Sequence, residues 1–436
     1  MINRYVHRAV LIGSLVLTLA GVASAQSSRP RRVKPSPKPA EDPLLRPEPK
    51  TSTARSGSSN PNAPLLTVQP VKPISNPNAT DNPSSSRTNE STSAAAAPRD
   101  SSHAYQLLQQ KQFAAAAKEA KAVATNDPSD SEAWKIAGFA ELNLKLYTDA
   151  ANDLEKAIAL QRAAKKEDPN TIDALGQAYV LSEKFEAALP LLVAATTRAG
   201  VQPDPAMLYY RGLAEYKTGK PVDAERTFNA VIKVNPKDSL ALFYLAQIAV
   251  AKNDLDGAIA ALNRATLSDA RLSSAWTLLT SAYLRRAALA TDTAKADADY
   301  LNAVRAGEGL IKVRTDAEAV TLFGQALIGA QQYARAAAAL ERATQGSDAK
   351  GVTFYLLGIA HSRAKNFPKA IAALEAAAAK TPGDVNVYRE LGYAYEISKQ
   401  YNKALGAYQK GSNLAPADTD FKESIERVRP FAKQIG

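Results

Sequence analysis

A small residue, usually glycine, returns along this chain at near-regular steps: Gly138, Gly176, Gly212, Ala246, Thr280, Gly324, Gly358 and Gly392. The intervals are 38, 36, 34, 34, 44, 34 and 34 residues. A period of this size marks a chain that stacks one supersecondary unit on the next. Other residue types keep the same register. A ring lies nine residues after the small residue at Tyr147, Phe185, Tyr333, Phe367 and Tyr401. Alanine follows three residues later at Ala150, Ala188, Ala336, Ala370 and Ala404, and Ala224 and Ala258 hold that slot where Pro221 and Leu255 replace the ring. A bulky residue comes four further on, at Leu154, Leu192, Phe228, Leu262, Leu340, Leu374 and Tyr408. Pro128, Pro236, Pro382 and Pro416 close several of the units.

Between these markers apolar residues recur at three- and four-residue spacing, the pattern of amphipathic helices. Alanine, the best helix former, runs unbroken from Ala336 to Ala339. Aromatic residues are only 7% of the chain, so the core must be built from Ala and Leu in thin layers of packed helices. Each slot then has a physical reason. Glycine on a first helix and alanine on a second let two antiparallel helices approach closely. Rings and bulky residues fill the gap between one pair and the next. Proline cannot donate to a continuing helix, so it ends the second helix. No pair buries its own apolar face, and stability comes from neighbour contacts along the stack.

The period and its slots resemble the tetratricopeptide repeat. Trp134-Lys135-Ile136-Ala137-Gly138 and Trp276-Thr277-Leu278-Leu279 resemble its opening. Leu175-Gly176-Gln177-Ala178-Tyr179 and Leu391-Gly392-Tyr393-Ala394-Tyr395 resemble its Leu-Gly-x-x-Tyr core. The resemblance implies an all-α fold, a superhelical α-solenoid of about nine helix pairs over residues 101–417. Two stretches depart from the pattern. The first unit has Ala104 where glycine is usual, while Phe113, Ala116 and Pro128 are kept. The 44-residue interval carries an insertion near Arg285 to Ala298 and a degenerate second helix around Tyr300 to Leu310; it reads as a longer helix pair or as a loop standing off one face. Residues 418–436 form a terminal capping segment, with Phe421, Ile425 and Val428 on one helical face and Arg429-Pro430 expected to stop the helix.

The N-terminal hundred residues have a different texture. Arg4, His7 and Arg8 precede an uncharged, mostly apolar run from Ala9 to Val22, and Ala23-Ser24-Ala25 supplies small residues for cleavage. Residues 1–25 therefore read as a secretory signal, too short for a comfortable membrane span. No second long apolar run follows, so no stable membrane span is expected after cleavage. Residues 26–100 hold 14 of the 25 prolines and abundant Ser, Asn and Thr, the composition of a disordered, partly polyproline-like linker. They carry eleven Lys/Arg and six Asp/Glu, so much of the net charge of +11 sits here. Such a linker is a solvated spacer able to make weak, salt-sensitive contact with anionic surfaces. Export, an Ala-rich composition and a short Ala-x-Ala signal together point to a bacterial envelope, periplasmic or secreted.

Little chemistry is available. The chain has no cysteine and three histidines, which removes thiolate metal sites, a cysteine nucleophile and a lipid anchor on an N-terminal cysteine. His7 lies in the signal, His103 at the start of the repeats, and His361 in the slot held by Tyr179, Tyr283 and Tyr395, where it reads as a packing residue. No phosphate loop, His-Glu-x-x-His or Gly-x-Ser-x-Gly occurs. The reading is a non-enzymatic chain with no cofactor. Its array is near neutral, which speaks against nucleic acid.

The resemblance implies that first helices line a concave face where a partner segment docks. On this sequence that face includes Phe139, Leu142, Tyr209, Leu213, Tyr216, Phe243, Gln247, Gln325, Tyr355, Ile359, Arg389 and Tyr393. Tyr209, Tyr355 and Tyr393 are expected to be the exposed rings among them. Only Lys135 and Arg389 are basic at or beside these positions, so a clamp for a C-terminal carboxylate is not expected. The function that follows is an exported scaffold or adaptor for a protein partner. The alternative is a module for a non-protein envelope ligand such as a glycan or wall polymer, against which both tryptophans, Trp134 and Trp276, occupy structural slots.

Overall fold

The computed structural model describes residues 100–346 and 349–432. The expected signal at 1–25, the expected linker at 26–100 except for Asp100, and the last four residues lie outside the described residues. Among the described residues there are nineteen helices and no strand. The helices are α1 (Ser102–Gln109), α2 (Phe113–Asn126), α3 (Ser131–Asn143), α4 (Tyr147–Ala163), α5 (Pro169–Leu181), α6 (Phe185–Thr196), α7 (Pro205–Lys217) and α8 (Pro221–Val234). They continue with α9 (Ser239–Ala251), α10 (Leu255–Ser268), α11 (Ser273–Leu289), α12 (Thr293–Val313), α13 (Ala317–Gly329) and α14 (Tyr333–Ala343). The last five are α15 (Gly351–Arg363), α16 (Phe367–Lys380), α17 (Val385–Ile397), α18 (Tyr401–Leu414) and α19 (Thr419–Ala432). In chain order they make nine pairs and a terminal helix, the element pattern of an α-solenoid. The chain divides into two compact units between Ile248 and Ala249.

The start of most first helices is set by an aspartate. Asp130 accepts the backbone N–H groups of Glu132 and Ala133 at 2.9 and 3.0 Å. Asp168, Asp204, Asp238, Asp316 and Asp384 do the same for α5, α7, α9, α13 and α17. Each cap satisfies donors that the helix itself leaves unpaired, a contribution of about 1 kcal/mol. Pro128-x-Asp130, Pro236-x-Asp238 and Pro382-x-Asp384 therefore do two things: the proline follows one helix end and the aspartate begins the next. The turn inside a pair closes on one left-handed residue: Lys145, Glu183 and Gly219 in the first unit, and Gln331, Lys365 and Lys399 in the second.

The small-residue slot is occupied from within its own pair. A Cβ added to Gly138 would stand 2.5 Å from Leu154 Cγ, and one on Gly212 2.8 Å from Phe228 Cε1. Gly324 meets Leu340 at 2.6 Å, and Gly358 and Gly392 meet Leu374 and Tyr408 in the same way. This corrects the expectation that the bulky slot only fills the gap between pairs. The residue sixteen positions on seats in the hollow left by the missing Cβ. From there Leu154 also packs with Ala174, Leu175 and Ala178 of the next pair.

A second contact recurs at the joints. It links the residue three after the small slot to the one just after the bulky slot of the preceding pair. In the first unit Lys121 pairs with Glu141, and the Tyr179 hydroxyl donates to Glu155 at 2.8 Å. In the second unit Asn263 donates to Tyr283 at 3.2 Å, His361 Nε2 lies 3.2 Å from Glu341, and Tyr395 donates to Glu375. His361 is buried; it does the work of the tyrosines whose slot it holds.

The 44-residue interval resolves as a longer helix pair, α11 with 17 residues and α12 with 21. The added turns stay packed. Trp276 covers Gly309, where an added Cβ would stand 2.7 Å from its ring, Tyr300 covers Gly329, and Arg286 joins Asp299 at 2.9 and 2.6 Å. On α19 Phe421, Ile425 and Val428 are all buried. The helix does not stop at Arg429: it runs through Pro430 to Ala432. A proline so near the end removes one bond of the last turn and nothing upstream.

Candidate functional site

Three positions on each first helix, at −3, +1 and +4 from the small residue, carry the candidate partner-binding side chains. The structure sorts them by burial. Phe139, Tyr209, Leu213, Tyr355 and Ile359 are buried, as are Leu142 and Gln325. Tyr216, Phe243, Gln247, Arg389 and Tyr393 are half-buried. Two expectations of exposure are thus corrected: Tyr209 is 0% and Tyr355 1% exposed. Burial pushes both hydroxyls well above the usual tyrosine range. The reason is neighbouring volume. Tyr209 is ringed by Tyr210, Phe228 and Tyr244 at centroid distances of 5.7, 6.1 and 6.4 Å. Phe228 and Tyr244, from the two helices that follow, cover this −3 ring together with Tyr210 of its own helix.

The structure brings together one group of candidates on α7 and α9, within the first unit. The Tyr216 hydroxyl donates to Gln247 Oε1 at 2.8 Å. Tyr244 lies between them, 5.3 Å from the Tyr216 ring and 5.6 Å from Phe243. Below, Tyr244 stacks on Phe228 at 5.3 Å with the planes 4° apart. The patch is therefore three half-buried rings and a carboxamide on a bed of buried rings. Partial burial raises the Tyr216 and Tyr244 hydroxyls, so both stay protonated donors at neutral pH. Tyr244, at −2, was not among the candidates read from the sequence.

The second-unit candidates are held by ionic contacts. Arg389 binds Asn386 at 3.0 Å and Asp418, and its guanidinium lies 4.9 Å from the centre of the Phe421 ring. Arg363 forks onto Glu390 at 2.9 and 3.2 Å and lies 5.9 Å from the Tyr393 ring. Lys135, in the first unit, is held by Glu132 at 2.7 Å and Asp168 at 3.3 Å. Both cations that a carboxylate clamp would need are thus paired inside the chain. The tryptophans are engaged as well: Trp134 Nε1 donates to the Pro128 carbonyl at 3.1 Å and Trp276 Nε1 to Ala270 at 2.9 Å.

Two buried carboxylates meet at one joint. Glu141 and Asp153 are 1% and 3% exposed, and Lys121 reaches both. Burial drives the Glu141 carboxyl up to about 7, against the pull of Lys121. Among the described residues no group of His, Cys, Asp and Glu side chains is placed to hold a metal ion. No helix among them is long and apolar enough to cross a membrane.

Comparison with known proteins places this geometry. The tetratricopeptide repeat family model matches residues 102–170, 174–230, 211–272 and 355–418, together more than half of the chain. No curated protein matches it in sequence. Solved structures with a similar fold include the C-terminal part of a TPR repeat-containing protein from Cytophaga hutchinsonii, 16% identical with a TM-score of 0.40. That match covers 67% of this chain and 99% of the other. A tetratricopeptide repeat protein from Parabacteroides merdae is 14% identical over 61% of this chain and 98% of its own, with a TM-score of 0.38. YrrB, described as a TPR protein with an unusual peptide-binding site, is 18% identical over 46% of this chain and 97% of its own, with a TM-score of 0.37. On the family match and the repeat geometry, the chain belongs to the tetratricopeptide repeat family, whose fold is a protein-interaction scaffold.

Proposed function

We propose that this protein is an exported adaptor that binds a segment of a partner protein on its first-helix face, at the patch of Tyr216, Phe243, Tyr244 and Gln247. The observation that carries the reading is the half-burial of these side chains over a bed of buried rings. Rings held in place by packing lose little freedom when a ligand covers them, and a tyrosine hydroxyl or a carboxamide adds direction. The signal-like start of the chain supports a site of action in a bacterial envelope or outside the cell.

The test uses the full chain with the photo-reactive residue p-benzoylphenylalanine at position 243, and separately at Lys233 on an exposed part of α8. Irradiation in cells that make the protein should join a partner from position 243 and not from 233. A partner joined only from 233 would move the site to the second helices. Fractionation of the same cells reads export: recovery of an uncleaved chain in the cytoplasm would refute it.

A further inference from the structure

The patch also has a feature that selects its ligand. Its three rings meet at steep angles: Tyr216 and Tyr244 at 57°, Phe243 and Tyr244 at 63°. Rings so inclined do not form one flat face. Gln247 accepts from Tyr216 through its oxygen, so its amide hydrogens remain to donate to a ligand carbonyl. Inclined rings beside a donor suit a polyproline II segment. Its prolines pack against aromatic faces, its carbonyls have no internal partners, and its low conformational entropy makes docking less costly.

This chain carries a sequence suited to that conformation. Pro61-Asn62-Ala63-Pro64 and Pro70-Val71-Lys72-Pro73 each space two prolines by three residues, and Leu65, Leu66 and Val68 lie between them. Three residues make one polyproline II turn, so each pair of prolines falls on one side. The distance fits as well. Residue 73 lies 27 residues before Asp100, the first residue described. An ideal coil of that many residues would span about 30 Å. The first helices α1, α3, α5 and α7 step toward the patch at roughly 10 Å each, also about 30 Å. A tether that matches its span gives an effective concentration near 1 mM. A contact with a dissociation constant of about 0.1 mM would then be about nine-tenths occupied.

We infer that the proline-rich segment from Pro61 to Pro73 docks on the Tyr216–Phe243–Tyr244–Gln247 patch of its own chain and must leave before a partner binds. The inference rests on the patch being the binding site proposed above, and it names the occupant that competes there.

The experiment is the same photo-reactive residue at position 243 in the purified full chain, with links mapped by mass spectrometry. The expected result is a link within one chain to residues 61–73, at a yield unchanged over a tenfold dilution. The variant Pro61→Ser, Pro64→Ser, Pro70→Ser, Pro73→Ser should lower that yield about tenfold, while helix content stays the same. Placing the residue at 247 should reproduce the pattern and guards against a local effect of the first position. A yield that falls on dilution means a second copy is the occupant and overturns the inference. Links only to other parts of the chain overturn it too. Links in cells to a separate protein, with none to residues 61–73, overturn it and leave the adaptor reading standing. No link of any kind from a folded chain defeats both.

Discussion

The same three positions are filled differently on α7 and α9 and on α17. In the first unit they carry Tyr216 at +4, Phe243 at −3 and Gln247 at +1, which bond and pack among themselves and stay half-buried. In the second unit they carry Glu396, Arg389 and Tyr393. Glu396 accepts from the Tyr408 hydroxyl and from Arg427 of α19, both at 2.8 Å. Arg389 pairs with Asp418, just before α19, and lies over Phe421. The terminal helix thus occupies the polar groups of the face it covers. On α7 and α9 the polar groups bond to each other, whereas on α17 they bond to the terminal helix and the turn before it, and register alone does not say which.

Removing the terminal helix's anchor is the strongest way to break this contrast. Phe421 is 1% exposed, packs against Gly411 and Tyr408, and carries Arg389 on its ring. Phe421→Ala should destabilise the second unit by about 3–5 kcal/mol. Hydrogen exchange would show α17 to α19 opening together while α3 to α8 keep their protection. If α17 stays protected, the cap is not what holds that face.

A smaller effect separates the two −3 residues. Arg389→Ala removes two charge-assisted contacts and should cost about 1–2 kcal/mol in urea unfolding. Phe243→Ala removes a side chain that is only half-buried, should cost about 1 kcal/mol or less, and should abolish partner capture. Equal costs would mean that Phe243 is as structural as Arg389.

The joints give a third contrast, in pH. Glu141 has its folded pKa raised from 4.5 to about 7, chiefly by burial. The folded first unit therefore holds that proton more tightly, and the stability is fully present below pH 4.5 and lost as pH rises to about 7. His361 has its folded pKa lowered by burial, with Glu341 opposing. Here the unfolded chain holds the proton more tightly, so the second unit loses stability as pH falls below 6.5. Between pH 5 and 7.5 protection in α2 to α4 should fall as protection in α14 to α16 rises. Glu141→Gln should flatten the first trend alone.

These contrasts show what the sequence makes legible. The glycine and bulky slots could be read because sterics are absolute there: Gly138 and Leu154 share one small volume, and no neighbour changes that. Three of the six aspartate caps stand in Pro-x-Asp at the pair boundaries, where only the proline was read. Exposure was not legible. Tyr355 and Phe243 share the −3 position, yet one is fully covered and the other half-covered. The difference lies in side chains from adjoining helices, which no single-helix pattern contains. The length of α11 and α12 is a related case. Trp276 and Tyr300 have glycines to cover, Gly309 and Gly329, only once the added turns are helical.

The smallest effect concerns the turn inside each pair, where the two units again differ at one position. Gly219 closes α7 with φ of 74°, and Lys365 closes α15 with φ of 64°. A Cβ on Gly219 would touch nothing within 4 Å, so any cost of adding one is backbone strain. For a residue with a Cβ that strain is about 1–2 kcal/mol, against about 0.4–1 kcal/mol gained by restricting the unfolded chain. Gly219→Ala should therefore cost a net of about 0.5–1 kcal/mol. Lys365→Gly reverses the signs and should stabilise the α15–α16 turn by the same amount. Hydrogen exchange at the two turns is the direct readout, because neighbour coupling in a stack spreads a change this small over the global unfolding curve. Opposite shifts at the two sites would show that the left-handed residue is set by the repeat geometry, with residue type merely tolerated. A loss of protection in Lys365→Gly would show that the lysine makes a contact whose value exceeds the strain.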